Sequence, residues 1–127
     1  MKVGIKNQIK KTVVEKLTAK VMGSGRLDVF ATPAMVAMME EAAHTSVETE
    51  LEEGQGTVGT SMTVSHLAAT PVGMEVTCES ELVEVDGRKL VFEIKAMDEA
   101  GLIGEARHER FIIENEKFLA KTNAKLK

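Results

Sequence analysis

The 127-residue chain contains no tryptophan, no tyrosine and only four phenylalanines. Single-strand nucleic-acid surfaces need aromatic platforms on which bases stack, so that class is excluded as an expectation. The net charge of -4, from 16 Lys+Arg against 20 Asp+Glu, also repels a phosphate backbone. Cysteine is nearly absent too: Cys78 alone cannot close an intramolecular disulfide, which points to a reducing, cytoplasmic setting. No apolar run approaches the roughly 20 residues needed to cross a bilayer, and the opening MKVGIKNQIKK has no apolar segment behind its charges. Neither a membrane span nor a secretory signal is expected.

Hydrophobic residues make up 43% of the chain and charged residues 28%, the balance of a packed globular protein. The length suits one domain over residues 1–127, burying roughly two thirds of the surface its unfolded form exposes. Residues 11–20 (KTVVEKLTAK) are rich in β-branched side chains and read as a first strand, broken by Met22-Gly23-Ser24-Gly25. At Thr32 the pattern changes. Thr32 suits an N-cap, Pro33 the first helical position, and residues 34–39 are only Ala, Met and Val. The helix is expected to reach about Glu50 and stop before Gly54. Its first two turns carry no charge on any face, which predicts burial nearly all round.

Four strands should follow, over about 57–68, 74–85, 88–97 and 102–113. Asp86-Gly87 signals a tight hairpin, and 98–101 a turn before the last strand. A short helix from Asn115 to Lys125 would end the chain. One strand, one buried helix and four antiparallel strands make an α+β protein in the order of the hotdog fold, a curled antiparallel sheet around a long central helix.

Three residues stand out as chemistry. His66 alternates in step with Val58, Met62 and Val64, and so points inward; it is either a core histidine held by a carbonyl or a catalytic base. Glu40 sits just past the uncharged turns, within about 20° of the face of Pro33 and Val36 or Ala37. A carboxylate there either opens the solvated half of the helix or is partly buried and needs a partner. Thr32 is either a simple cap or a hydroxyl beside the unpaired N–H groups of a helix start, where an oxyanion could be held. Glu40, Glu41 and His44 imitate a metal-binding face, but no second such helix exists, so no metal is expected. Cys78 shares a face with Met74, Val76 and Leu82 as an inert apolar filler. His108 and Arg110 share a face with Leu102, Ala106 and Ile112, where they need an ion pair or a ligand.

The chain resembles the hotdog-fold acyl-CoA thioesterases, in the branch similar to fluoroacetyl-CoA thioesterase. The resemblance rests on Val29-Phe30-Ala31-Thr32-Pro33-Ala34-Met35-Val36 with Met39-Glu40, on Thr57-Val58-Gly59 with Val64-Ser65-His66-Leu67, and on Val85-Asp86-Gly87-Arg88 with Gly104 and His108-Glu109-Arg110. It spans about 12–118, and the Thr, Glu, His spacing of 8 and then 26 residues makes the combination specific. It implies a catalytic set of Thr32, Glu40 and His66, with Gly59, His66, His108 and Arg110 at the acyl or pantetheine end. It also implies an aromatic gate before the helix, whereas residues 21–29 (VMGSGRLDV) hold no aromatic side chain. Thioester hydrolysis carries over, while the acyl group, fluoroacetyl or another, is left open.

The expected function is therefore hydrolysis of a small acyl-CoA to free acid and CoA, without cofactor, CoA being part of the substrate. A hotdog module that binds acyl-CoA without turnover is the alternative, and a dehydratase ranks last. Eight residues of helix separate Thr32 from Glu40 by about 12 Å along the axis, too far for the two side chains to meet within one chain. A homodimer or larger assembly, with helices antiparallel about a two-fold axis, would bring the Glu40 of one copy to the Thr32 of the other.

Overall fold

The computed structural model describes residues 1–126. Among them, five strands form one antiparallel sheet: β1 (Lys6–Thr12), β2 (Gln55–His66), β3 (Glu75–Asp86), β4 (Lys89–Asp98) and β5 (Gly101–Glu114), in the order β1-β3-β4-β5-β2. The long helix is α2 (Thr32–Ser46), between a single turn α1 (Ala19–Met22) and a terminal α3 (Asn115–Asn123). The sheet curls around α2, giving the hotdog fold expected from the order of elements. No described helix is long and apolar enough to cross a membrane.

The core forms where α2 lies on the sheet. Ala34, Met35, Met38, Met39, Ala42 and Ala43 of the helix are buried against Val76, Cys78 and Leu82 of β3, Leu90, Phe92 and Ile94 of β4, and Ile103 of β5. The methionines carry most of the helix's apolar volume, and truncating a fully buried one to alanine should cost about 2–5 kcal/mol.

The first strand lies earlier than expected. Residues 6–12 pair with β3, and within 13–20 only Val13 and Thr18 are buried. Lysines 6, 10 and 11 disguise the segment, but an edge strand tolerates such charges and even benefits from them. Residues 15–17 form a 3₁₀ turn, and the Thr18 hydroxyl caps α1 by accepting from the Val21 N–H. Helix α2 also stops earlier, at Ser46, followed by a 3₁₀ turn over 48–50. The hydroxyls of Thr45 and Ser46 bond back to the carbonyls of Glu41 and Ala43, which competes with helix continuation.

Burial of α2 is one-sided, contrary to the expectation of cover all round. Pro33 and Ala37 are exposed and Val36, Glu40 and His44 are half-buried, leaving one continuous stripe of the helix partly open to solvent. The hairpin between β3 and β4 turns at Gly87, whose φ of 62° needs a residue free of Cβ strain.

Candidate active site

Thr32 is the first residue of α2 itself, not its N-cap; Ala31 holds the cap position and no side chain caps the helix there. The hydroxyl is committed elsewhere. Thr32 Oγ1 lies 2.7 Å from Nδ1 of His66, the last residue of β2. His66 Nε2 is buried and has no hydrogen-bond partner among the described residues. Burial lowers the pKa of His66, against a smaller upward pull from the Ala68 backbone. A neutral imidazole beside an exposed hydroxyl is what proton transfer near neutral pH requires.

Glu40 is not brought to that pair. It lies two turns further along α2, half-exposed, with Oε2 3.3 Å from Arg110 Nη1 and 3.9 Å from His108 Nε2. Arg110 and His108 are buried on the inner face of β5, where the expected ion pair meets them. The Arg110 guanidinium also donates from Nε to Thr57 Oγ1 (2.8 Å) and from Nη2 to the Thr57 carbonyl (3.0 Å). Burial pulls the Arg110 pKa down, and Glu40 pulls against that shift without cancelling it.

Gly59 faces the same cluster. A Cβ built on it would lie 2.8 Å from Glu40 Oε2, 3.2 Å from His108 Cε1 and 3.4 Å from Arg110 Nη1, so a methyl group fits only if Glu40 moves. This orientation comes from a bulge. The β2–β5 register shifts between Gly59 and Ser61, so Thr57 and Gly59 face inward together with Met62, Val64 and His66, while Val58 pairs with the exposed Phe111 on the other side. The expected alignment of Val58 with His66 is thereby corrected. Leu102, expected beside His108, is also exposed, because a second irregularity shifts the β4–β5 register between Ala96 and Met97.

Thr57 and Ser61 were not singled out from the sequence, although Thr57 holds Arg110 and the Ser61 carbonyl holds His108 Nδ1 at 2.8 Å. The isolated glycine in a strand pattern was the available signal for the bulge that aims both. Glu40, Glu41 and His44 go to three separate partners, Arg110, Lys11 and Glu48, and do not converge. Cys78 is fully buried in the core, which pushes its thiol up to about 12.

The family described as FlK, fluoroacetyl-CoA-specific thioesterase, matches residues 13–116. The curated fluoroacetyl-CoA thioesterase of Streptantibioticus cattleyicolor is 45% identical over 98 residues, 77% of this chain and 70% of that protein. A solved structure of the fluoroacetyl-CoA thioesterase FlK superposes with a TM-score of 0.94 at 37% identity, covering 100% of this chain and 98% of that one. A Thermus thermophilus hypothetical protein, a thioesterase superfamily member, gives 0.88 at 28% identity over 95% and 90% of the two chains.

Proposed function

This chain belongs to the fluoroacetyl-CoA-specific thioesterase family and is an acyl-CoA thioester hydrolase, and from that premise we propose that Thr32 and His66 of one copy work with Glu40 of a second across a homodimer. The carrying observation is the split site: the Thr32–His66 hydrogen bond at the start of α2, and Glu40 with Arg110 about 12 Å along the same helix. Two further features support a second copy. The partly open stripe of α2 carries Pro33, Ala37 and Glu40, and β2, which carries Gly59 and His66, is an edge strand with one side open to pairing.

In this reading His66 Nδ1 takes the proton of Thr32, or of a water that Thr32 positions. Oxygen adds to the thioester carbonyl, the free N–H groups at the helix start stabilise the oxyanion, the C–S bond breaks, and the proton passes to the CoA thiolate. With water as the nucleophile this yields the free acid directly. With Thr32 as the nucleophile, a water deprotonated by His66 then adds to the acyl-Thr32 ester, the C–O bond to Thr32 breaks, and the proton returns to its hydroxyl. Glu40 of the second copy orients the water or balances the imidazolium. Gly59 and Arg110 bound the acyl end. The steps call on no metal or redox cofactor, CoA is the carrier part of the substrate, and the single cysteine supports a cytoplasmic setting.

One variant of FlK has been solved with fluoroacetate and CoA, and another with acetyl-CoA. Fluoroacetate and the acetyl group of acetyl-CoA are both two-carbon units, and a small acyl-CoA is the substrate class proposed here. Mixing the strongly impaired Thr32→Ala and Glu40→Ala proteins under verified subunit exchange tests the shared site: some mixed dimers hold one intact site, so thiol release from acetyl-CoA should partly recover. No recovery despite exchange, or an active monomer by light scattering, overturns it. Bound acyl-CoA with no free CoA appearing would favour the non-catalytic binding module instead.

A further inference from the structure

His108 was expected to touch substrate, yet both of its ring nitrogens are spent inside the chain. It is 1% exposed. Its Nδ1 lies 2.8 Å from the Ser61 carbonyl, which can only accept, so Nδ1 must carry a proton. Its Nε2 lies 3.1 Å from Arg110 Nη1, which can only donate, so Nε2 must be a bare lone pair. Both bonds exist together only in a neutral ring of the Nδ1–H tautomer. A proton on Nε2 would set two donors against each other at that distance.

We propose that His108 is a positioning residue: a neutral, Nδ1-protonated imidazole whose Nε2 lone pair holds one N–H of Arg110 and so fixes the direction in which Arg110 and Glu40 face the thioester. This rests on Arg110 and Glu40 acting at the acyl end, as proposed above. The surroundings are built for it. Arg110 Nη1 has two hydrogens, one for His108 Nε2 and one for Glu40 Oε2 at 3.3 Å, while Thr57 occupies Nε and Nη2. Removing the His108 acceptor frees the edge of the guanidinium that meets Glu40. The groups facing the imidazole are Glu40 from α2, Arg110 on β5 itself, the Ser61 carbonyl from β2 and the Phe92 ring from β4, centroids 6.3 Å apart. Burial and Arg110 lower its pKa, outweighing Ser61 and Glu40, which agrees with the neutral form.

Nitrogen NMR of the wild-type imidazoles, with the His108 signals assigned by their loss in H108Q, reads the tautomer without any assay of activity. The expected spectrum has a protonated Nδ1 and a pyridine-like Nε2 that persist below the ordinary histidine range. An Nε2–H tautomer, or an imidazolium near pH 6.5, overturns the proposal. Two variants then separate positioning from mere packing. Asparagine places its amide near Nδ1 and keeps the Ser61 bond; glutamine reaches the Nε2 position and offers Arg110 an acceptor. A packing role predicts that H108N and H108Q, each assayed well below its own melting temperature, are equally active. Positioning predicts kcat/KM about tenfold higher for H108Q, whatever the order of their melting temperatures. If Arg110→Ala hydrolyses acyl-CoA like the wild type, the assignment of Arg110 falls and His108 falls with it. If Arg110→Ala is impaired and H108N equals H108Q, the role of His108 alone falls.

Discussion

Thr32 and His66 are 34 residues apart in sequence, yet their side chains meet at 2.7 Å because the end of β2 is carried to the start of α2. Since Thr32 does not cap its helix, the hydroxyl is free of the role that would otherwise explain it. Substitution therefore separates chemistry from helix stability. Thr32→Ser should stay within about tenfold of wild type, and the near-isosteric Thr32→Val should lose about 100-fold or more in kcat with little change in melting temperature. A fully active Thr32→Val protein would remove the hydroxyl from the mechanism.

His66 should be needed in its neutral form. His66→Ala is expected to lower turnover by about 100-fold or more while leaving the protein folded. Burial holds the wild-type pKa below 6.5, so kcat/KM should stay flat down to that pH and fall only as pH drops through the lower folded-state value. Stability follows the same sign. Below 6.5 the unfolded chain takes up protons at His66 and His108 before the folded one does, so the melting temperature should decline with acidification through that window. An acid limb centred above 6.5 would contradict this.

Gly104 pairs with His66 across β2 and β5, and its missing side chain is occupied by a neighbour. A Cβ there would lie 2.7 Å from Met35 Sδ and 3.0 Å from the Ser65 carbonyl. Met35 is fully buried and the carbonyl is backbone, so neither can retreat freely. Gly104→Ala should cost about 1–3 kcal/mol in stability, measured by denaturant unfolding, and should lower activity by lifting the start of α2 away from His66. Wild-type stability would mean that Met35 repacks without strain.

The uncharged run at residues 34–39, the Gly87 turn and the order of strands made the hotdog fold legible, because each is a local signal of its own element. What stayed hidden depends on distant partners. The lysines of β1 look like a solvated start until the edge position is known, and the open stripe of α2 cannot be told from a buried one when Pro33, Val36 and Ala37 are all apolar. Strand alternation placed His66 inward correctly yet misaligned Val58, because a bulge adds one residue to the count. Thr32, Glu40 and His66 could be picked out by residue type and the resemblance, but Thr57 and Ser61 act through a hydroxyl and a carbonyl whose direction only the bulge sets.

Cys78 should be silent in the native enzyme. Its thiol is fully buried and pushed up to about 12, so almost no thiolate is present at neutral pH. A thiol reagent should leave native protein unmodified and active over hours, and react with one equivalent per chain in denaturant. Rapid native labelling with loss of activity would contradict this.

At both Gly59 and Gly104 a Cβ would come within 3.0 Å of a neighbour, but what each presses against predicts opposite costs. At Gly59 the closest atom, 2.8 Å from a built Cβ, is Glu40 Oε2, the far end of a flexible side chain that is 42% exposed. That carboxylate can swing toward solvent at little cost in stability, and in doing so it leaves Arg110. Gly59→Ala should therefore melt within a few degrees of wild type while losing about tenfold or more in kcat/KM. The two changes should also be non-additive: once Glu40→Ala has removed the carboxylate, adding Gly59→Ala should change activity little further, because residues sharing one contact do not contribute independently. Denaturant unfolding and acetyl-CoA hydrolysis across the four proteins of this cycle check it. If Gly59→Ala lowers activity equally in both backgrounds, the methyl group acts directly on the acyl group and displacement of Glu40 is not the cause.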